Sequence, residues 1–209
     1  KKGIGPHDVA ISLVKATFES GFVKNKVLEF AGPGVKNLPI DFRNGIDIMT
    51  TETTCLSSIW VTDDEVKHHY ELHNRPQDYR ELRPGKVAYY DAMIRIDLST
   101  QESMIALPFH PSNAYTIHEL QEHPQEILQK IEAEGRKKYG DKVTIDLMSK
   151  IHDGGVYADQ GIIAGCSGGT YDNLSEAAAI LDNQSIGNDF FTMSAYPQSA
   201  PVSLAIQRS

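Results

Sequence analysis

Cys166 is the residue whose type and surroundings best fit chemistry. It follows the short apolar run 162–164, which is typical of a buried strand, and it precedes an alanine-rich segment that is typical of a helix. Gly168 and Gly169 let the backbone approach a ligand closely, and α/β proteins usually bind ligands at the carboxyl edge of a parallel sheet. This context favours a functional thiol, whereas an arbitrary cysteine is more often a small buried hydrophobe.

The start of the following helix is predicted from Asn173 and Glu176. Their spacing is similar to that of a capping box, with Asn in place of the usual Ser or Thr, so the helix is expected to begin near Leu174. Cys166 is therefore expected in a strand-to-helix turn.

Glu52 is the second candidate. It lies in a predicted buried helix that spans residues 40–55, because Phe42, Ile46 and Met49 recur there at helical spacing. The surrounding stretch TTETTCLSS is rich in hydroxyl groups, which offers the carboxylate hydrogen-bond donors and little apolar cover. From the residues alone, Glu52 is either a surface acid or a general acid/base or ligand in a cleft.

The histidines give weaker signals. His69 and His73 share one face of a predicted helix that follows Thr62, with His68 beside them, but no HExxH arrangement is present, so a solvent-exposed face is favoured over a metal site. His110 lies between two prolines and is interpreted as part of a rigid rim.

Composition excludes several classes of protein. The 209 residues carry a net charge of −8 and no extended basic cluster, which argues against a nucleic-acid partner. No run approaches the roughly 18 apolar residues of a membrane span, and no signal-peptide pattern opens the chain. Two cysteines do not form a disulfide framework, so a reducing, cytoplasmic compartment is expected.

The periodicity predicts an α/β fold with a largely parallel sheet in the second half. A proline- and glycine-containing stretch at 77–86 suggests a domain boundary near residue 80. Helices are predicted from Pro6, at 40–55, from Thr62 to about Asn74, at 124–139, after Asn173 and from about Ser199. Strands are predicted at 27–30, 93–98, 104–107, 143–147, 162–164 and 190–193.

Five segments, taken in order, carry a resemblance. Residues 5–9 read GPHDV, 28–35 read LEFAGPGV, and 41–60 contain TTETT around Glu52. Residues 97–99 read DLS ahead of two prolines, and 163–169 read IAGCSGG. Together these segments resemble the SPKDV, VE(Y/F)xGxGV, GAExGAT, DLS…GPxxP and IGSCTNS motifs of the aconitase family of iron-sulfur hydro-lyases.

The resemblance implies a fold of three-layer α/β/α domains with mostly parallel sheets. Residues 1–80 would be the family's second domain, and residues 81–209 part of its third. Cys166 would be the first of three cysteine ligands to a [4Fe-4S] cluster, and Glu52 the active-site glutamate. The implied activity is the reversible dehydration of a hydroxy-tricarboxylic or related hydroxy acid, with the cluster as Lewis acid and a serine outside this chain as the base.

The sequence also departs from the family pattern. Gly165, Ser167 and Gly168 replace the serine, threonine and asparagine around the cysteine, and 50–51 are Thr-Thr instead of Gly-Ala, which indicates a divergent branch. No CxxC pair is present. One cysteine cannot hold a cubane, so the chain is expected to be a fragment that binds no cluster and is inactive alone, and to need the remaining domains of the same polypeptide.

Two other functions stay open. Cys166 at a helix N-terminus, with His110 as base, would suit a cysteine-nucleophile enzyme. The Gly168-Gly169 loop and the helix after it would suit a non-catalytic module that binds a phosphate or carboxylate.

Overall fold

The computed structural model describes residues 3–187 and 190–208, and the chain divides into two compact units, one up to Gln101 and one from Glu102. Within these residues, no helix is both long and apolar enough to cross a membrane.

The first unit is built on a β-α-β arrangement. Strands β1 (Val27–Phe30) and β2 (Ser57–Trp60) pair in parallel, with Val27 opposite Ser57 and Phe30 opposite Trp60. A parallel pair requires a crossover connection, and helix α2 (Ile40–Met49) lies within it. Helix α1 (Pro6–Thr17) packs against α2 and contributes much of the core, including Val9, Ala10, Leu13 and Val14.

Helix α3 (Asp64–Leu72) completes the regular elements of this unit. Its N-cap is Asp63, whose carboxylate accepts a hydrogen bond from the Val66 N–H. The Gly32-Pro33-Gly34 segment leads into a 3₁₀ helix at Pro33–Asn37.

The second unit contains two antiparallel hairpins and a second β-α-β arrangement. Strands β3 (Met104–Ala106) and β4 (Ala114–Thr116) form one hairpin, and β5 (Ile151–His152) and β6 (Gly155–Val156) form the other. Helices α4 (Ile117–Glu122) and α5 (Pro124–Tyr139) supply the buried cluster Leu120, Ile127, Leu128 and Ile131.

The C-terminal part of this unit holds the predicted cysteine site. Strands β7 (Gln160–Ile163) and β8 (Thr192–Ala195) pair in parallel. The one-turn helix α6 (Gly165–Gly168) and helix α7 (Tyr171–Leu181) lie between them, and α8 (Ala200–Arg208) follows β8. The predicted α/β class is confirmed, with one parallel crossover pair in each unit, but the described strands of the second unit are not largely parallel as predicted, since β3–β4 and β5–β6 pair antiparallel.

Two predicted strands are wrong. Residues 93–98 and 143–147 belong to no strand pair in the described chain. The alternation of apolar and polar residues is nevertheless matched by their exposure, since Ile94, Ile96 and Ile145 are half-buried between exposed neighbours. Alternation indicates a half-buried extended segment. A strand also needs a neighbouring strand to pair with, and the sequence pattern does not show whether one is present.

The compact units divide after Gln101, whereas the sequence predicts a boundary near residue 80. The segment before Gln101 stays with the first unit because the Gln101 side chain is buried there and its amide donates to the Asp8 carbonyl and to Ser12 Oγ, at 3.3 and 2.9 Å. The assignment of 1–80 and 81–209 to two family domains stays a prediction.

Candidate functional site

Glu52 lies in a 3₁₀ turn, Thr50–Thr53, that continues α2. The turn is rigidly held: Thr53 is fully buried and its hydroxyl donates to the Thr50 carbonyl at 2.6 Å. The Thr50 hydroxyl donates to the Asp47 carbonyl at 2.7 Å and lies 3.1 Å from Ser58 Oγ. The hydroxyl groups of Thr50 and Thr53 therefore help to fix the backbone of the turn.

The turn ends at Thr54 in the left-handed region, with φ 65°. A β-branched residue rarely adopts this conformation. The Thr54 carbonyl accepts from the Asn25 N–H at 3.4 Å, and the Leu56 N–H donates to the Lys26 carbonyl at 2.8 Å. These bonds tie the turn to the segment ahead of β1, so the exposed Glu52 lies at the amino ends of the two strands.

Cys166 lies on α6, directly after β7, and its thiol is free and exposed. Gly165 has φ 85°, a left-handed conformation that turns the chain out of the strand. The predicted strand-to-helix turn is confirmed, in the form of a single helical turn that carries the cysteine.

The glycines around Cys166 have different surroundings. A Cβ added at Gly165 or Gly168 would meet no atom of another part of the chain within 4 Å, so there is open space at these two positions. A Cβ at Gly169 would lie 2.5 Å from the Tyr196 carbonyl oxygen and 2.8 Å from the Gln198 nitrogen. Gly169 is therefore required for close backbone packing, and its carbonyl accepts from the Gln198 N–H at 2.8 Å.

The predicted start of the next helix is wrong by three residues. Helix α7 begins at Tyr171, and Thr170 is its N-cap, with its hydroxyl accepting from the Asn173 N–H at 3.4 Å. Thr170 is 2% exposed. Thr170 is a residue type that often caps helices, but Asn173 and Glu176 match the spacing of a capping box. That match predicts a helix start too far toward the C-terminus.

The structure describes the turn around each candidate residue within its own unit. Glu52 belongs to the first unit and Cys166 to the second. A cavity shared by the two side chains stays a prediction.

The histidines do not form a metal centre. The His69 and His73 rings lie 4.3 Å apart, and burial together with the charge of His73 lowers the pKa of His69 despite the opposing effect of Asp41. Across residues 3–187 and 190–208, no group of three or more His, Cys, Asp or Glu side chains could hold a metal ion.

The two alternative functions gain no support from this geometry. His110 places Nδ1 3.0 Å from Ser112 Oγ, and no hydrogen bond between His110 and Cys166 is present among the described residues. The Gly169 N–H, one of the donors that the loop could offer to an anion, donates to the Gly165 carbonyl at 2.9 Å.

Sequence reasoning missed a shallow groove at the carboxyl ends of β1 and β2. Its lining combines the Glu29 carboxylate and Arg83 with apolar and aromatic groups that include Trp60 and Pro84. Partial desolvation and a hydrogen bond to the Glu29 carboxylate raise the pKa of the Tyr90 phenol. The groove is far along the sequence from Cys166 and lies at the strand ends opposite to those near Glu52, and no motif marks it.

Fold and site together define an α/β protein with an exposed thiol after a parallel strand and an exposed carboxylate on a rigid turn. Residues 1–209 match the Aconitase family (aconitate hydratase), and the chain belongs to this family. The predicted family is thereby confirmed.

Individual relatives agree with this assignment. Aconitase htyD of Aspergillus rugulosus is 34% identical over 121 residues, which cover 56% of this chain and 14% of that protein. The 2,3-dimethylmalate dehydratase large subunit of Eubacterium barkeri is 29% identical over 154 residues, 74% of this chain and 29% of that protein. Mitochondrial homoaconitase of Candida parapsilosis is 32% identical over 123 residues, 52% of this chain and 18% of that protein. The chain thus spans less than a third of the length of these relatives.

Proposed function

We propose that this chain forms part of the active site of an aconitase-like hydro-lyase, with Cys166 as one ligand of a [4Fe-4S] cluster and Glu52 as an acid/base residue. The substrate would be a hydroxy-tricarboxylic or related hydroxy acid, since relatives carry the names homoaconitase and 2,3-dimethylmalate dehydratase. The remaining ligands and substrate contacts would come from further domains of the polypeptide.

The observation that carries this proposal is the setting of Cys166. Thiolates are the usual ligands of iron-sulfur clusters, and the Cys166 thiol is free and exposed. The open space at Gly165 and Gly168 leaves room for a bulky group beside the sulfur. When bound, such a cluster supplies a Lewis acid that polarises a substrate hydroxyl.

Glu52 would act from the other unit of the chain. Its turn is fixed by buried threonines while the carboxylate itself is exposed, so the side chain is available to a substrate at a defined position. A carboxylate placed in this way can hydrogen-bond the departing hydroxyl and exchange a proton with it.

The test uses the full-length protein and measures bound iron and visible absorbance after reconstitution with iron and sulfide. Cys166→Ser is expected to lose most of the iron, because one thiolate ligand is removed. Cys55→Ser is the matched control, since Cys55 is the other cysteine and its half-buried thiol donates to the Thr50 carbonyl at 3.4 Å. Equal iron in wild type and Cys166→Ser would contradict the proposal.

Glu52→Gln separates catalysis from cluster binding. This variant is expected to keep its iron and to lose about 10²- to 10⁴-fold in the rate of dehydration, because the amide cannot exchange a proton. Wild-type turnover of hydroxy acids by Glu52→Gln would remove Glu52 from the proposed mechanism.

We also propose a reducing, cytoplasmic compartment, which is supported by the two free thiols. Cell fractionation that places the protein in an oxidising compartment would contradict it.

A further inference from the structure

We propose that Asn173 is a positioning residue for Cys166: its side-chain amide ties the first turn of α7 to the helical turn that carries the cysteine. This inference rests on the proposed role of Cys166 and adds a residue that holds it in place.

The contact is direct. Asn173 Nδ2 donates to the carbonyl oxygen of Ser167, the residue after Cys166, at 2.9 Å. A carbonyl can only accept, so the amide nitrogen of Asn173 must face it. Ser167 is 8% exposed, so the bond lies on the packed side of the turn while the thiol of Cys166 faces solvent.

The position of Asn173 makes this bond unusual. Asn173 is the third residue of α7, and in a capping box the side chain at that position accepts from the N–H of the cap residue. Here the side chain instead donates to the preceding helix, and its own N–H donates to Thr170 Oγ1. The side-chain amide of Asn173 therefore links α7 to α6. Capping the start of α7 would not require a side-chain donor at this position.

The turn that carries Cys166 needs such a tie. Helix α6 has four residues, and the bond from the Gly169 N–H to the Gly165 carbonyl closes its single turn. One helical turn is unstable without outside contacts, because it fixes several residues for one hydrogen bond. The Asn173 amide and the Gln198 N–H, which donates to the Gly169 carbonyl, supply contacts from two directions.

Asn173→Asp is the decisive variant. The two side chains have the same shape, and a carboxylate in the first turn of a helix is favourable because it complements the helix dipole. An aspartate carboxylate cannot donate to the Ser167 carbonyl and would be repelled by it. If Asn173 only stabilises α7, Asn173→Asp is neutral or stabilising; if it positions Cys166, Asn173→Asp loosens the turn.

The experiment measures amide hydrogen exchange in the full-length protein by NMR. Asn173→Asp and Asn173→Ala are both expected to raise the exchange rate of the Gly169 N–H about fivefold or more, with the amides in the second half of α7 unchanged. Ser175→Ala is the matched control, because it removes a side-chain bond within α7, from Ser175 Oγ to the Tyr171 carbonyl at 2.8 Å. It should leave the Gly169 N–H unchanged.

Two results would overturn the proposal. One is an unchanged exchange rate at Gly169 in Asn173→Asp, and the other is equal acceleration throughout α7. Amides of α5, such as that of the fully buried Ile131, report global unfolding. Comparing their exchange rates with that of Gly169 distinguishes a loosened turn from a variant that is destabilised as a whole. The exchange measurement does not depend on iron. Iron retention by Cys166→Ser would therefore contradict the proposed function without deciding whether Asn173 holds the turn.

Discussion

At the scale of single residues, the buried charge of Arg43 connects three elements of the first unit, and no motif marks it. Arg43 is 3% exposed, and its guanidinium donates to both carboxylate oxygens of Asp63, at 3.0 and 2.7 Å. The same group donates to the carbonyls of Val35 and Leu38, at 3.0 and 2.9 Å. Arg43 thus links α2, the cap of α3 and the 3₁₀ turn that follows β1.

The Asp63 ion pair predicts a dependence of stability on acid pH. Burial by itself would raise the pKa of Asp63, but hydrogen bonds from Arg43 and from the Val66 N–H, with the Arg43 charge, together lower it below its ordinary value of 3.8. A lowered pKa in the folded state stabilises the protein above the unfolded pKa, and this contribution is lost as the pH falls through the folded pKa.

Asp63→Asn should therefore lower the free energy of unfolding by about 1–3 kcal/mol at neutral pH, and the difference from wild type should shrink below the ordinary pKa. Urea unfolding at a series of pH values measures this. Asp64→Asn, at an exposed neighbour, is the control for net charge. A constant difference at all pH values would show that the carboxylate charge is not responsible.

At the scale of elements, the segment 143–147, which is predicted as a strand, ends next to a buried carboxylate of α5. Glu132 of α5 is 5% exposed and accepts from the N–H groups of Leu147 and Met148, at 2.6 and 2.9 Å, and from Arg136 at 2.6 Å. The backbone N–H of Leu147, the last residue of that segment, is therefore paired with a side chain. The amphipathic pattern of α5 predicts the helix correctly, but it does not predict that a glutamate faces inward.

The turn that carries Cys166 gives a prediction for two adjacent glycines. Gly169→Ala should cost about 1–3 kcal/mol, because the methyl group would meet the backbone of Tyr196 and Gln198, which cannot move aside like a flexible side chain. Gly168→Ala should be neutral or slightly stabilising, since the space is open and alanine favours a helix.

Urea unfolding and the NMR shift of Cys166 check this pair of variants. A Gly168→Ala variant as unstable as Gly169→Ala would show that the turn tolerates no side chain at either position and would contradict the open space described at Gly168.

At the scale of the whole molecule, the β-α-β module that presents Cys166 has little core of its own. Among the described residues of α7 only Leu174 is buried, and α8 buries none. Ile162 of β7 is 58% exposed. Parallel strands are usually covered on both faces, and the relatives are more than three times as long as the aligned segment.

The isolated chain is therefore expected to take up no cubane cluster when it is reconstituted with iron and sulfide, and to show no hydratase activity. A cubane needs at least three cysteine ligands in this family's arrangement, and the chain has two cysteines. Iron and sulfide analysis with visible absorbance measures the outcome, and the full-length protein treated in parallel is the positive control. A full complement of four irons on the isolated chain would contradict the assignment of ligands to the rest of the polypeptide.

The sequence by itself determined the family, the mixed α/β class and the strongly periodic elements. The segment 124–139 was predicted as a helix with the bounds that α5 has, because apolar spacing and proline at the start are local properties. It also placed Cys166 after a strand. Readable local signals were nevertheless overlooked, namely the capping box of Thr116 and Glu119 and the Asp153-Gly154 turn between β5 and β6.

Only the tertiary structure decided which polar groups face inward and which extended segments find a partner. Arg43 and Glu132 are buried where they bond to backbone groups elsewhere in the chain, and the N–H of Leu147, at the end of segment 143–147, donates to the Glu132 side chain. Thr170 is the cap of α7 because its hydroxyl accepts from the Asn173 N–H, while the Asn173 side-chain amide donates to the Ser167 carbonyl. Hydrogen-bond partners are chosen in three dimensions, and spacing along the chain does not carry that information.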